Sequence, residues 1–180
     1  MPTVVVLAGE STIDLMTVAR LLDNHHFRTR FSHDAIGVEL GGILKNIYAI
    51  GLGLFDGKSI HSVNFRAVYL TIALEEITRI GVAMGGHAET FSYLAGLGDL
   101  LATSLSGHSH NRSLGERLAE GQTLDAIKTA MGVLPEAYNI HEGHFIDSRK
   151  AACLSATGTW SVGCYPWADC NRTVYLRLYA

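Results

Sequence analysis

The residue best placed for chemistry is Lys45, the only charge between Leu40 and Phe55, where nearly every other residue is apolar or glycine. A helix of this composition is expected to be buried. Burial removes water from an ammonium group and disfavours its charged form, so such a lysine can give or take a proton near neutral pH. The adjacent Asn46 adds two hydrogen-bond donors and an acceptor. The segment therefore indicates a proton-transfer group inside a helical core.

Lys45 is also compatible with two simpler roles. Its ammonium could reach water along the helix surface, or pair with a carboxylate such as Glu39, without any catalytic role. The residue types alone leave these roles open. A membrane span is not predicted, because Glu39, Lys45 and Asn46 leave only Ile47 to Phe55 uncharged, well short of the roughly 20 residues that a span needs.

A second polar group lies further along the chain and comprises Asp99, Thr103 and the segment GHSHNR at 107–112. Taken singly, Asp99 is typical of a helix cap, Thr103 of a surface residue and the histidine-rich segment of a solvated loop. The histidine pairs at 108/110 and 141/144 lack the helical H-E-x-x-H pattern that brings two imidazoles to zinc. No metal site is predicted.

Composition limits the function classes. The chain has 180 residues, 48% of them hydrophobic, and a formal net charge of −3. It has no basic excess that would indicate nucleic acid or an anionic membrane, so we expect a small-molecule or protein partner. The start lacks the charged region and the long apolar run of a signal peptide, and Cys153, Cys164 and Cys170 form neither a disulfide framework nor a zinc site. A cytoplasmic location is expected.

The first third of the chain predicts one βαβ unit followed by helices. Thr3 to Leu7 and Phe27 to Phe31 are predicted strands, and Ser11 caps the helix between them. A βαβ unit normally belongs to a larger sheet, yet the sequence has no G-x-G-x-x-G after a strand and no P-loop. The helix that Ser11 caps has a predicted apolar face, which comprises Ile13, Met16, Val18, Leu21 and Leu22.

From Gly37 to about Tyr138 the pattern predicts an all-α region. A second long helix, capped by Asn64, is expected to run to about Met84, with Glu75 and Arg79 paired on its outside. Shorter helices separated by glycines are expected at Glu89–Ala95, Leu100–Ser106, Leu114–Ala119 and Leu124–Met131.

Four motifs in order resemble one family. They are VELGGILKN at 38–46, N-x-R at 64–66, TRIGVAMGG at 78–86 and ETFSYLAGLGDLLAT at 89–103. Over about residues 3–138 the sequence resembles NAD(P)-dependent glycerol-3-phosphate dehydrogenase of the bacterial type.

The resemblance implies a mainly α fold. Residues 36–138 would be a helical substrate domain of the 6-phosphogluconate dehydrogenase C-terminal-like type, and residues 1–35 the βαβ remnant of a Rossmann dinucleotide-binding domain. Residues 139–180 do not continue the family's helical ending and form an atypical tail, which leaves a disordered end or an altered reading frame open.

The resemblance also implies hydride transfer between NAD or NADP and dihydroxyacetone phosphate or glycerol 3-phosphate. Lys45 matches the family's catalytic lysine, which accepts the proton of the alcohol and returns it to the ketone. His110 stands where the family has an arginine, so a shorter and mostly neutral group replaces a fixed positive fork. Asn46 and Asp99 match substrate-site and lysine-orienting positions of the family. The implied substrate-binding residues are Asn46, Asp99, Thr103, Ser109 and Asn111, and the implied cofactor-binding residues are His110, Leu134 and Glu136.

Two other functions stay open at this point. The chain could be a non-catalytic helical oligomerisation or interaction module, or belong to a dehydrogenase for another phosphorylated hydroxyacid if His110 reflects a changed substrate. The glycine-rich phosphate loop is not in this sequence, so the chain alone is expected to bind cofactor poorly and to be almost inactive. A homodimer is also left open.

Overall fold

The computed structural model describes residues 3–132 and Pro135. The predictions for Leu134, Glu136 and the tail at 139–180 lie outside the described residues, and the domain boundaries at 35 and 138 stay predictions. The elements are β1 (Thr3–Ala8), α1 (Thr12–Leu22), β2 (Phe27–Ser32), α2 (Ala35–Asp56), α3 (Val63–Ala83), α4 (Ala88–Phe91), a π-helical turn (Leu94–Gly98), α5 (Asp99–Leu105), α6 (His110–Ala119) and α7 (Leu124–Met131).

The first three elements form the predicted βαβ unit. β1 and β2 pair in parallel, with Thr3 opposite Phe27 and Ala8 opposite Ser32. The Ser11 hydroxyl accepts a hydrogen bond from the Asp14 backbone N–H, 3.2 Å away, and so caps α1 as predicted.

The predicted apolar face of α1 is wrong. Leu15 and Ala19 are the buried residues of this helix, because they lie four positions apart and share the stripe that packs on the two strands. Ile13 and Leu21 lie on the opposite side and are 77% and 82% exposed. The other three predicted face residues, Met16, Val18 and Leu22, are also exposed.

α2 is the central helix, as its apolar composition predicts. It packs against α3, α5, α6 and the π-helical turn, and its Ala49 and Leu52 are fully buried. Among the described helices it is the one long and apolar enough to cross a membrane, yet half of its most apolar stretch is buried inside the fold. The core helix of a globular fold combines the same length, apolar composition and burial. The main core joins α2, α3 and the segment after α3 through Leu40, Leu44, Tyr48, Leu52, Tyr69, Leu70, Ala73, Ile77, Ile80, Phe91 and Leu100.

α3 differs from its prediction at two points. It begins at Val63, two residues early, because the hydroxyl of Ser62 rather than the side chain of Asn64 caps it. Arg79 lies 3.7 Å from Glu76, three residues earlier, and not beside the predicted Glu75. The cap and the ion-pair partner of α3 thus differ from their predicted positions by only one or two residues.

The helix predicted at Glu89–Ala95 is divided into two elements. α4 ends at Phe91, and the π-helical turn begins at Leu94. Phe91 is fully buried, and Gly96 lies directly against its backbone, so that a Cβ at Gly96 would collide with Phe91. The chain therefore folds back on itself here instead of continuing as one helix.

Asp34 joins the start of α2 to the start of α4. Its carboxylate accepts hydrogen bonds from the backbone N–H of Gly37 at 2.8 Å, the backbone N–H of His87 at 2.8 Å and the hydroxyl of Thr90 at 2.6 Å. Burial alone would raise the pKa of Asp34, but the hydrogen bonds from Thr90, His87 and Gly37 outweigh it and lower this pKa below the usual 3.8.

Replacing Asp34 by Asn is expected to destabilise the fold by about 1–3 kcal/mol at pH 7, since an amide N–H₂ cannot accept from these donors. The folded pKa of Asp34 is lowered, so its contribution is present above the unfolded value of 3.8 and is lost as the pH falls through the folded pKa. Urea unfolding from pH 7 down to below 3.8 should show the gap between wild type and Asp34→Asn closing.

Asp14→Asn is the matched control, because Asp14 is an exposed acidic residue near a helix start. It should change stability by less than about 0.5 kcal/mol. Equal effects of the two substitutions at pH 7 would contradict the role given to Asp34.

Candidate active site

Lys45 is paired with Asp99. The Lys45 Nζ donates to Asp99 Oδ2 at 2.5 Å, and the two side chains are 19% and 37% exposed. The suggested pairing with Glu39 is therefore wrong, and the lysine is not surrounded by apolar groups alone. Asp99 is also not the cap of α5, since Gly98 holds the cap position and the Asp99 carboxylate is used on Lys45.

The π-helical turn positions Asp99 beside Lys45. Gly41 of α2 lies against the carbonyl of Ala95, and a Cβ at Gly41 would overlap that oxygen. The turn can therefore lie directly on α2, one helical turn before Lys45, and α5 starts at once with Asp99. Thr103 is four residues after Asp99 and shares its face of α5.

A second pair joins α2 to α6. Asn111 Nδ2 donates to Asn46 Oδ1 at 3.0 Å, and Asn46 Nδ2 donates to the carbonyl of Gly42 at 3.3 Å. Asn46 is only 7% exposed, so these bonds satisfy a buried amide. Adjacent residues of one helix, Lys45 and Asn46, are thus held by the starts of two different helices.

The segment 107–112 is partly helical, which corrects the prediction of a solvated loop. α6 begins at His110, four residues before the predicted start at Leu114. Ser109 is its cap, and its hydroxyl accepts from the backbone N–H of Arg112 at 3.3 Å. His110 is exposed at the first helical position and Asn111 follows it. A serine three residues before Arg112 was the cap signal in the sequence.

The structure therefore brings together most of the predicted site residues. Lys45, Asn46, Asp99 and Asn111 are in direct contact as two pairs. Thr103 shares the face of Asp99, and Ser109 and His110 adjoin Asn111 at the start of α6. Within residues 3–132, no cluster of three or more His, Cys, Asp or Glu side chains is arranged to hold a metal.

α2 and α6 approach each other through glycine. A Cβ at Gly53 would overlap the Arg112 carbonyl, and one at Gly57 would crowd the Glu116 carbonyl. On the α6 side, a Cβ at Gly115 would overlap the carbonyl of Ile50. This glycine seam (Gly53, Gly57 and Gly115) sets the distance from α6 to α2, and with it the position of Asn111.

Sequence reasoning missed a buried charge network at the end of α2. Asp56, whose side chain is 4% exposed, is bound by the Nη2 of Arg66, by Arg112 Nε at 3.3 Å and by His61 Nδ1 at 3.4 Å. The sequence carried a signal for this network in the position of Asp56 at the end of the predicted apolar helix. A carboxylate at a helix C-terminus interacts unfavourably with the helix dipole and needs a cation nearby.

A cavity of about 560 Å³ lies away from these pairs. It opens between β2 and α4, where Arg30, Phe31, Glu89 and Tyr93 line it, and Lys45 is not among its lining residues. The proton-transfer candidate and this cavity are thus separate features.

The comparisons with known proteins decide the family. Residues 34–150 match the family model described as "NAD-dependent glycerol-3-phosphate dehydrogenase C-terminus". The chain belongs to this family. The family resemblance seen in the sequence motifs is confirmed, and the match covers every described residue of the site.

Relatives with this family's name match most of the chain. It is 45% identical over 159 residues to a glycerol-3-phosphate dehydrogenase [NAD(P)+] of Nitratidesulfovibrio vulgaris, covering 87% of this chain and 48% of that protein. It is 39% identical over 150 residues to the enzyme of the same name from Citrifermentans bemidjiense, covering 83% of this chain and 44% of that protein. The chain thus spans about half the length of the curated relatives it matches.

Solved structures confirm the predicted fold class. A glycerol-3-phosphate dehydrogenase from Coxiella burnetii aligns with a TM-score of 0.74 at 34% identity, over 87% of this chain and 46% of that one. A protein titled DsGPDH from Dunaliella salina, at 24% identity and a TM-score of 0.68, covers 87% of this chain and 30% of that one, and supports the fold alone.

The glycine seam yields a stability test. Gly115→Ala should destabilise the protein by about 1–3 kcal/mol, because the new methyl meets the rigid backbone of α2. Gly42→Ala is the control, since a Cβ there meets nothing within 4 Å and Ala is favoured over Gly inside a helix. Thermal unfolding should show a loss for the first and no loss for the second. Equal losses would contradict a close-packed seam.

Proposed function

We propose that this chain provides the substrate side of an NAD(P)-dependent glycerol-3-phosphate dehydrogenase. The family membership and the names of the relatives support the reaction, which interconverts dihydroxyacetone phosphate and glycerol 3-phosphate. The sequence has no G-x-G-x-x-G, and the described part contributes one βαβ unit, so these residues fit the substrate better than the phosphates of a dinucleotide.

The observation that carries the proposal is the Lys45–Asp99 pair beside the Asn46–Asn111 pair. An ammonium has three donors, and the bond to Asp99 uses one of them. The pairing holds Nζ at a fixed place and leaves two N–H bonds for a substrate oxygen. The reacting oxygen and the polar groups of Asn46 and Asn111 can therefore share one small site.

In this mechanism Lys45 is the general acid and base. The hydride for the carbonyl carbon of dihydroxyacetone phosphate would come from NAD(P)H when this cofactor is bound. The carbonyl oxygen takes a proton from Lys45 Nζ, which becomes a neutral amine and regains a proton from solvent through its 19% exposed side chain. In the oxidation of glycerol 3-phosphate, the neutral amine takes the hydroxyl proton instead, and the hydride of the central carbon would pass to NAD(P)+.

The start of α6 is proposed to hold the phosphate end of the substrate. Backbone N–H groups at a helix N-terminus favour an anion, and Ser109 and Asn111 add side-chain groups there. His110 contributes a smaller group than the arginine of the family, so this contact depends more on Asn111 and the helix start. Thr103 is proposed to line the same site from α5.

A chimera tests the proposal. The part of the Nitratidesulfovibrio relative that precedes its matched region is joined ahead of Thr3, and NADH or NADPH oxidation is followed with dihydroxyacetone phosphate. Turnover is expected, and Lys45→Met should reduce kcat by at least about 100-fold, because it removes the proton donor. The 180-residue chain alone serves as the comparison.

Lys58→Met is the matched control, because Lys58 is an exposed lysine in the turn after α2. It should leave kcat and KM unchanged. A folded chimera that does not turn over, or one in which Lys45→Met has no effect, would contradict the proposal. Self-association of such an inactive protein would then favour the non-catalytic oligomerisation module.

A further inference from the structure

Arg112 contacts three helices at once. Its Nε lies 3.3 Å from Asp56 Oδ2 at the end of α2, and 3.2 Å from Glu116 Oε1 on its own helix. Its Nη1 donates to the carbonyls of Ser104 at 3.2 Å and Ser106 at 3.0 Å, at the end of α5. The guanidinium therefore joins the ends of α2 and α5 to the start of α6.

The carbonyls that Arg112 binds belong to the chain that leads into the candidate site. Ser106 ends α5, and three residues later Ser109 caps α6. The backbone N–H of Arg112 is itself the group that the Ser109 hydroxyl binds. Both the backbone and the side chain of Arg112 thus hold the segment that carries His110 and Asn111.

We propose that Arg112 is a positioning residue that fixes the start of α6, and so the substrate contacts of Asn111, relative to Lys45. This inference rests on the proposed function. Arg112 acts through its neighbours, because its guanidinium is used on Asp56, Glu116 and the end of α5. No substrate contact is assigned to it.

Only a planar guanidinium can make all of the contacts that Arg112 makes. Its donors point in fixed directions, so one group can pair with a carboxylate at one edge and with two carbonyls at another. The ammonium of a lysine is a single point charge and cannot reach Asp56 and both carbonyls together. Arg112→Lys should therefore keep the charge and lose the link between α2 and α5.

Arg66 offers a matched control. It binds the same carboxylate, Asp56, through its Nη2, and its side chain is 23% exposed against 20% for Arg112. It lies on α3, and among the described residues its side chain hydrogen-bonds to Asp56 alone. Arg66→Lys disturbs the same buried charge without touching the segment between α5 and α6.

The test measures KM and kcat for dihydroxyacetone phosphate in the active chimera, together with amide hydrogen exchange of the 180-residue chain. Arg112→Lys should raise KM roughly tenfold, because misplaced contacts weaken substrate binding. Its kcat should change less than about threefold, since Lys45 and Asp99 stay in place. Exchange at residues 106–112 should become faster. Arg66→Lys should leave KM and this exchange unchanged.

The outcomes separate the inference from the proposed function. An unsubstituted chimera without turnover overturns both. Turnover with an unchanged KM in Arg112→Lys, or with equal KM changes in the two variants, overturns the inference and leaves the proposed function standing. Unchanged exchange at 106–112 in Arg112→Lys also overturns the inference, because the side chain then does not hold that segment.

Discussion

The backbone of α6 lies on the backbone of α2 with no side chain between them. This contact depends on Gly53 and Gly57 on one helix and on Gly115 on the other, where any Cβ would meet a carbonyl oxygen. Gly41 permits a similar approach of the π-helical turn to α2. The two helix starts that hold the candidate site are therefore placed by backbone contact, which is stiffer than contact through flexible side chains.

The polar residues of α2 have partners on different neighbouring elements. Lys45 binds the first residue of α5, Asn46 binds the second residue of α6, and Asp56 binds arginines of α3 and α6. Each of these groups is mostly buried, so each would be costly without its partner. The hydrogen bonds and ion pairs of these α2 side chains thus also determine how α5 and α6 are placed around Lys45.

Sequence patterns predicted most of the helices and strands but few of the contacts between their side chains. The apolar run predicted α2 as the buried helix, and the motif order identified the family, because both signals are local. Asp99, the partner of Lys45, lies 54 residues away, so sequence spacing did not point to it, and only the family resemblance matched it to a lysine-orienting position. The face of α1 was wrongly predicted because apolar residues occur on several sides of that helix, and only the position of the strands selects Leu15 and Ala19.

The central claim is that Lys45 and the start of α6 face one substrate. The most direct test is a crystal structure of the active chimera with glycerol 3-phosphate bound. The account predicts the central hydroxyl oxygen within about 3 Å of Lys45 Nζ, with the phosphate at the start of α6 beside Asn111. Substrate bound in the cavity between β2 and α4, with Lys45 still contacting only Asp99, would contradict it.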